Sequence, residues 1–136
     1  MIRHAFSIQK YWRVVVYYNV DYSFSSVIRR EMLENGFSRE FIDGMLDTLQ
    51  YDGAKGVTCT NADSHICFVL LNRHASKADY ISTIVHEAEH VKQAMLEAYG
   101  VEDAGEAPAY ALGYIISQMY TVFKFLICDS CDTGNG

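Results

Sequence analysis

Pro108 is the single proline in this chain of 136 residues, and no internal repeat or proline- and serine-rich linker divides it. That length without a break suits one domain around one core. Basic residues are also scarce. Eleven Lys and Arg against seventeen Asp and Glu give a formal net charge of −6, and no basic run exceeds Arg29-Arg30. A nucleic-acid groove or a face for an anionic membrane needs the opposite sign, so neither partner is expected. The first twenty residues, "MIRHAFSIQKYWRVVVYYNV", lack an apolar segment followed by a small-residue cleavage site. No secretion signal is read, and a cytoplasmic location is expected.

Without a signal, the four cysteines are expected to be free thiols in a reducing compartment. Cys128 and Cys131 form a CxxC with no second pair to complete a metal knuckle, so unpaired thiols near a frayed end are expected. Cys59 and Cys67 fall on what read as neighbouring strands. The most apolar run, "YALGYIISQMYTVFKFLIC" from Tyr110 to Cys128, nearly matches a membrane span in length. Ser117, Gln118 and Lys124 interrupt it at the spacing of a buried helix, and no span is expected.

What the chain does have is apolar residues, half of the total, in patterns that alternate between strand and helix. "WRVVVYYNV" (Trp12 to Val20) is β-branched and aromatic throughout, which predicts a strand. "SFSSVIRREMLENGF" reads as a helix stopped by Gly36. "SREFIDGMLDTLQ" reads as another, capped by Ser38, with Phe41, Ile42, Met45, Leu46 and Leu49 on one face. "KGVTCT" and "SHICFVLLN" flank the turn-forming "NADS" and predict a β-hairpin. Ser76 can cap the next helix, with Asp79 in its first turn, and Gly100 ends it. After the loop "VEDAGEA", a last helix starts near Pro108. The order is β-α-α-β-β-α-α, an α+β domain over residues 1–127, with 128–136 as a flexible C-terminal tail.

Chemistry concentrates in "TIVHEAEHVKQAM", Thr83 to Met95. Residues four apart on a helix share a face, so His86 and His90 can turn ring nitrogens toward one metal ion about 2 Å away. Glu87 is rotated by about 100° from His86 and can flank that ion, in reach of a proton on a water held there. This is the physical logic of H-E-x-x-H. The same five residues, with Glu89, also describe a solvated helix face. Against that, the histidines adjoin Val85 and Val91 of the apolar stripe, and half-buried histidines need partners.

A third ligand is required for a firm site. Glu97 shares the face but lies about 10 Å farther along the helix from His90, too far to converge. Glu102, Asp103 and Glu106 follow the reversal at Gly100, where the next helix can carry a carboxylate back. Glu106 opens that helix, one turn before Tyr110. Asp103 and Glu106 also spell D-x-x-E, a helix-start pattern, so Glu106 can serve as a cap instead. His4, His65 and His74 read as surface or strand residues, with His65 able to face a cleft.

"HEAEH", followed after fifteen residues by "EAPAY", resembles the minimal gluzincin pattern, in which the helix after HExxH supplies a glutamate ligand. "VHEAEHVKQ…EAPAYALGYI" is similar to short zinc-peptidase-like proteins of phages and prophages, over roughly residues 55 to 122. The resemblance implies a zincin-like domain, with a small, mostly antiparallel sheet packed on the HExxH helix and the glutamate-bearing helix. It implies a zinc ion held by His86, His90 and Glu106, with Glu87 as general base and Tyr110 holding a ligand or donating to an oxyanion. The strand before the motif, "SHICFVLLN", would be the edge along which a peptide substrate lies. Thermolysin-like enzymes have an acidic residue where Tyr110 stands, and the upstream donor segments of large gluzincins have no counterpart here. The expected function is therefore a zinc metallopeptidase acting on a peptide or protein. The rival is a non-catalytic interaction protein of the same fold. In it the metal is structural, and the apolar C-terminal helix, with Phe123, Phe125, Leu126 and Ile127, serves as the surface for a partner or a second copy.

Overall fold

The computed structural model describes residues 1–123, 125 and 126; the expected tail and its CxxC, Cys128 and Cys131, lie outside the described residues. The chain opens with a strand that the sequence reading does not contain. This strand, β1 (Ile2–Ile8), turns back into β2 (Trp12–Tyr18) with a continuous antiparallel register from Ile2↔Tyr18 to Ile8↔Trp12. Its turn is unmarked in the sequence because Gln9 and Lys10, rather than Gly or Asn-Gly, take the left-handed conformation, at φ 51° and 68°.

Helix α1 (Ser25–Glu34) and helix α2 (Arg39–Tyr51) follow. Gly36 between them sits at φ +89°, where a side chain would be strained and would also meet the Asn61 amide. Ser38 caps α2 by accepting from Phe41 N at 3.1 Å. Strand β3 (Gly56–Asn61) and strand β4 (Ile66–Leu71) form the expected hairpin, with His65 left-handed in the turn. Helix α3 (Lys77–Tyr99) and helix α4 (Glu106–Phe123) come next.

The strands lie in the order β1-β2-β4-β3, with β2 and β4 parallel and the outer pairs antiparallel. The domain is thus α+β, a small mixed sheet with four helices. Helices cover both faces. Helices α1 and α2 pack Ile28, Met32, Ile42 and Leu46 against Val15, Tyr17, Phe68 and Leu70. Helices α3 and α4 pack Ile84, Ala88, Val91, Ile115 and Met119 against Trp12, Val14, Val16 and Val69.

This order corrects one expectation. Strand β4, the core of "SHICFVLLN", is central, paired on one side with β2 and on the other with β3. Its six residues are all buried, as a strand with both faces covered requires, and its unbroken apolar run is the sequence form of that burial. It cannot receive a substrate by strand addition. The edges of the sheet are β1 and β3.

Cys59 and Cys67 do lie on neighbouring strands, but Thr60, not Cys59, stands opposite Cys67, and the two thiols face opposite cores. They cannot form a disulfide with each other, and burial pushes the Cys59 thiol up to about 12. No helix among the described residues is long and apolar enough to cross a membrane.

Candidate metal centre

Helix α3 is fixed at both ends by the residues expected to do so. Ser76 Oγ accepts from Asp79 N at 3.1 Å, and Gly100 at φ 67° closes the other end, with Val101 N donating to Leu96 O at 2.9 Å. Between them Tyr80, Ile84, Ala88, Val91 and Met95 form the stripe against the sheet. Glu87 lies just beside that stripe, on the flank toward β3, and is only 4% exposed. His86 and His90 lie farther round and are exposed, not half-buried as expected. The reason is angular. One step from Glu87 back to His86 swings the side chain by about 100° away from the sheet.

Donor atoms of His86, Glu87 and His90 all lie within 4.8 Å of one another. The two Nε2 atoms are 3.1 Å apart, and the ring planes cross at 79°. Two zinc–nitrogen bonds of about 2.0–2.1 Å at a tetrahedral angle span about 3.3 Å, so the pair has the spacing of two ligands on one ion. A neutral pair in which one ring donates to the other has the same spacing. What favours a cation is Glu87. A carboxylate this buried needs compensation, and its described donor is the neutral Thr58 hydroxyl, 3.2 Å from Oε1. Two imidazoles and a carboxylate are donors that zinc takes.

The group lines a cleft of about 440 Å³ between α3 and β3, together with Thr58, Thr60, Gln93 and Glu97. A second hollow, about 320 Å³, shares Gly56, His86 and Glu87 and continues toward Lys55 and Ser82. Lys55 O accepts from Asn72 N. By antiparallel alternation Gly56, Thr58 and Thr60 therefore turn their backbone N–H and C=O groups away from β4, off the sheet.

Glu106 and Tyr110, expected at this site, are placed elsewhere. Glu106 is exposed in the first turn of α4 and is not in the group formed by His86, Glu87 and His90. Helix α4 packs beside α3 on the β1 side, away from β3. The connecting loop is held there by Lys92, which bridges Glu89 at 2.7 Å and Asp103 at 3.0 Å. As an acidic residue in the first turn of α4, Glu106 complements the helix dipole. Tyr110 is 75% exposed and lines a separate groove of about 790 Å³ with Tyr11, Tyr99 and Tyr114.

Residues that the sequence reading passed over do border the cleft. Thr58 orients Glu87. Gly56 admits α3 to the sheet, because a Cβ there would stand 3.0 Å from Leu71 Cδ2 and Thr83 Cγ2 and 3.3 Å from Glu87 Cγ. We expect Gly56→Ala to cost about 1–2 kcal/mol by overpacking, measured by urea unfolding; an unchanged midpoint would show that the contact is not tight. His74 and His65 make contacts away from the group. His74 joins Asn72 O at 2.7 Å to Thr83 Oγ1 at 2.8 Å and stacks on Tyr80, and His65 stacks on Trp12 away from the cleft.

No family model, curated protein or solved structure matches this chain.

Proposed function

We propose that the chain is a zinc-dependent metallopeptidase of the HExxH type, with His86 and His90 as metal ligands and Glu87 as general base. No third protein ligand joins them among the described residues, so water and substrate would fill the other positions on the ion. One observation carries the reading: a buried carboxylate and two imidazoles converge in a cleft bordered by an exposed strand edge. Zinc in such a site supplies Lewis acidity, polarising a carbonyl and making water acidic enough to react near neutral pH. The protein does the rest. Thr58 aims Glu87 so that its second oxygen can take a proton from the attacking water and return it to the leaving amine. Gly56, Thr58 and Thr60 offer backbone groups on which an extended peptide can lie as an added strand. Strand β3 thus takes the part that β4 cannot.

The position of α4 favours a second reading. With Glu106 outside the group, Glu87 is the carboxylate nearest the histidines, and the three can close around a structural ion. The protein would then be a non-catalytic interaction module. Phe123, expected on its partner surface, is buried in the core with Leu126 packed against it, and the tyrosine-lined groove beside α4 would be that surface instead.

The test is a broad peptide library incubated with zinc-loaded protein, chelated protein and a Glu87→Gln variant, compared by mass spectrometry. Products formed by the zinc-loaded wild type alone are expected. Products common to all three would mark a contaminant, and none from zinc-loaded wild type would favour the non-catalytic module.

A further inference from the structure

We propose that the edge of β1, unpaired with any strand among the described residues, pairs with β1 of a second copy, antiparallel about a twofold axis at Ala5, joining two four-stranded sheets into one of eight strands. A sheet edge in a monomer is normally blunted by proline, charged side chains, a bulge, extreme shortness or a covering element. Strand β1 has no proline or bulge, its one full charge, Arg3, is turned to Glu31, and its outer edge is touched at Ser7 by Tyr114 alone among the hydrogen bonds described. It runs seven residues, "IRHAFSI", in unbroken register with β2. Its outer side is identified by Tyr114, whose hydroxyl donates to the Ser7 carbonyl at 3.0 Å. By alternation Arg3 and Ala5 also turn their N–H and C=O groups outward, and the Ser7 carbonyl keeps a second lone pair.

The occupant follows from charge and register. Two chains that each carry −6 repel unless they meet on a neutral face. Helix α4, which flanks β1, has no charged residue from Ala107 to Phe123. The one full charge on β1, Arg3, is already held by Glu31. The register that uses the whole strand sets Ala5 against its own copy, Arg3 against Ser7, His4 against Phe6 and Ile2 against Ile8. No like charges oppose each other, and the apolar ends meet. Because each contact is repeated by the twofold, the interface is self-complementary and closes at two copies. It forms roughly six backbone hydrogen bonds. The contact lies on β1, beside the C-terminal helix rather than on it, at the edge opposite the metal cleft.

Sedimentation equilibrium of the full chain at micromolar concentration is expected to give twice the chain mass. Ala5→Pro removes an outward N–H while leaving the β2-facing groups of Ile2, His4, Phe6 and Ile8 in place. Ala5→Lys keeps every backbone donor but sets two ammonium groups together at the axis. Each is expected to weaken the dimer by about a hundredfold, since the twofold doubles each loss. The circular dichroism of Ala5→Lys, an exposed substitution, should stay that of wild type and so covers the case in which Ala5→Pro misfolds. A monomeric wild type overturns the proposal. So does a dimer indifferent to Ala5→Lys, or one broken only by Tyr110→Asp in the neighbouring groove.

Discussion

His90→Ala is expected to abolish zinc retention while leaving the fold intact. Wild-type protein, desalted after exposure to zinc, should hold close to one ion per chain by elemental analysis, and the variant close to none. His90 is exposed, so its loss removes no core packing, and the metal-free variant should unfold within about 0.5 kcal/mol of metal-free wild type. The contrast appears when zinc is added. At a free concentration near 100 times the dissociation constant, binding stabilises the folded state by about 2.7 kcal/mol. For a chain of this length that is a rise on the order of ten degrees in the melting temperature. Wild type should show it and His90→Ala should not. Equal zinc in both proteins would sink the site. No zinc in either would mean that the 3.1 Å contact between the rings is only a hydrogen bond between neutral imidazoles.

Where a helix end is set by a capping side chain or a glycine, the sequence marks it. Ser38, Ser76, Gly36 and Gly100 mark their helix ends because a cap is a local hydrogen bond or a local positive φ. The pairing of His86 with His90 is equally local, since it needs only one helical turn. Beyond the β3–β4 hairpin, whose two strands are joined by a short turn, pairings between elements distant in the chain are not marked in the sequence. Strand β1 alternates weakly, its exposed odd positions mixing Arg3, Ala5 and Ser7, and it is a strand because β2 pairs with it. The substrate edge was assigned to β4 because that strand precedes the motif. Order along the chain does not say that β2 pairs with β4 and leaves β3 outside. Glu106 missed the histidines for the same reason. The spacing after Gly100 permits a return along either flank of α3, and Lys92 with Asp103 holds the loop on the far one. Thr58 and Gly56 carry no motif at all. Their importance appears only once α3 lies across β3.

Glu87→Gln should separate the two roles open to that carboxylate. The amide keeps the size of the side chain and an oxygen to accept from the Thr58 hydroxyl, so packing at this buried position is preserved. What it loses is the negative charge and the ability to take a proton. If Glu87 is the base, zinc content stays near one per chain and peptide cleavage falls by about two to four orders of magnitude, the usual share of a general base. If Glu87 is a ligand, the neutral amide binds zinc far more weakly, and metal falls in step with any activity. Thr58→Val sharpens the distinction. It deletes the hydroxyl that aims the carboxylate yet leaves both histidines untouched, so a base should lose part of its turnover with zinc retained. A cleaving enzyme whose rate ignores both substitutions would refute Glu87 as the base. The charge of Glu87 also bears on the fold. A carboxylate at 4% exposure whose described donor is the neutral Thr58 hydroxyl is costly to bury, and Glu87→Gln should therefore stabilise metal-free protein while doing less for the zinc-loaded form. A stabilisation equal in both states would mean that no cation compensates this carboxylate, which removes the physical reason for placing a metal beside it.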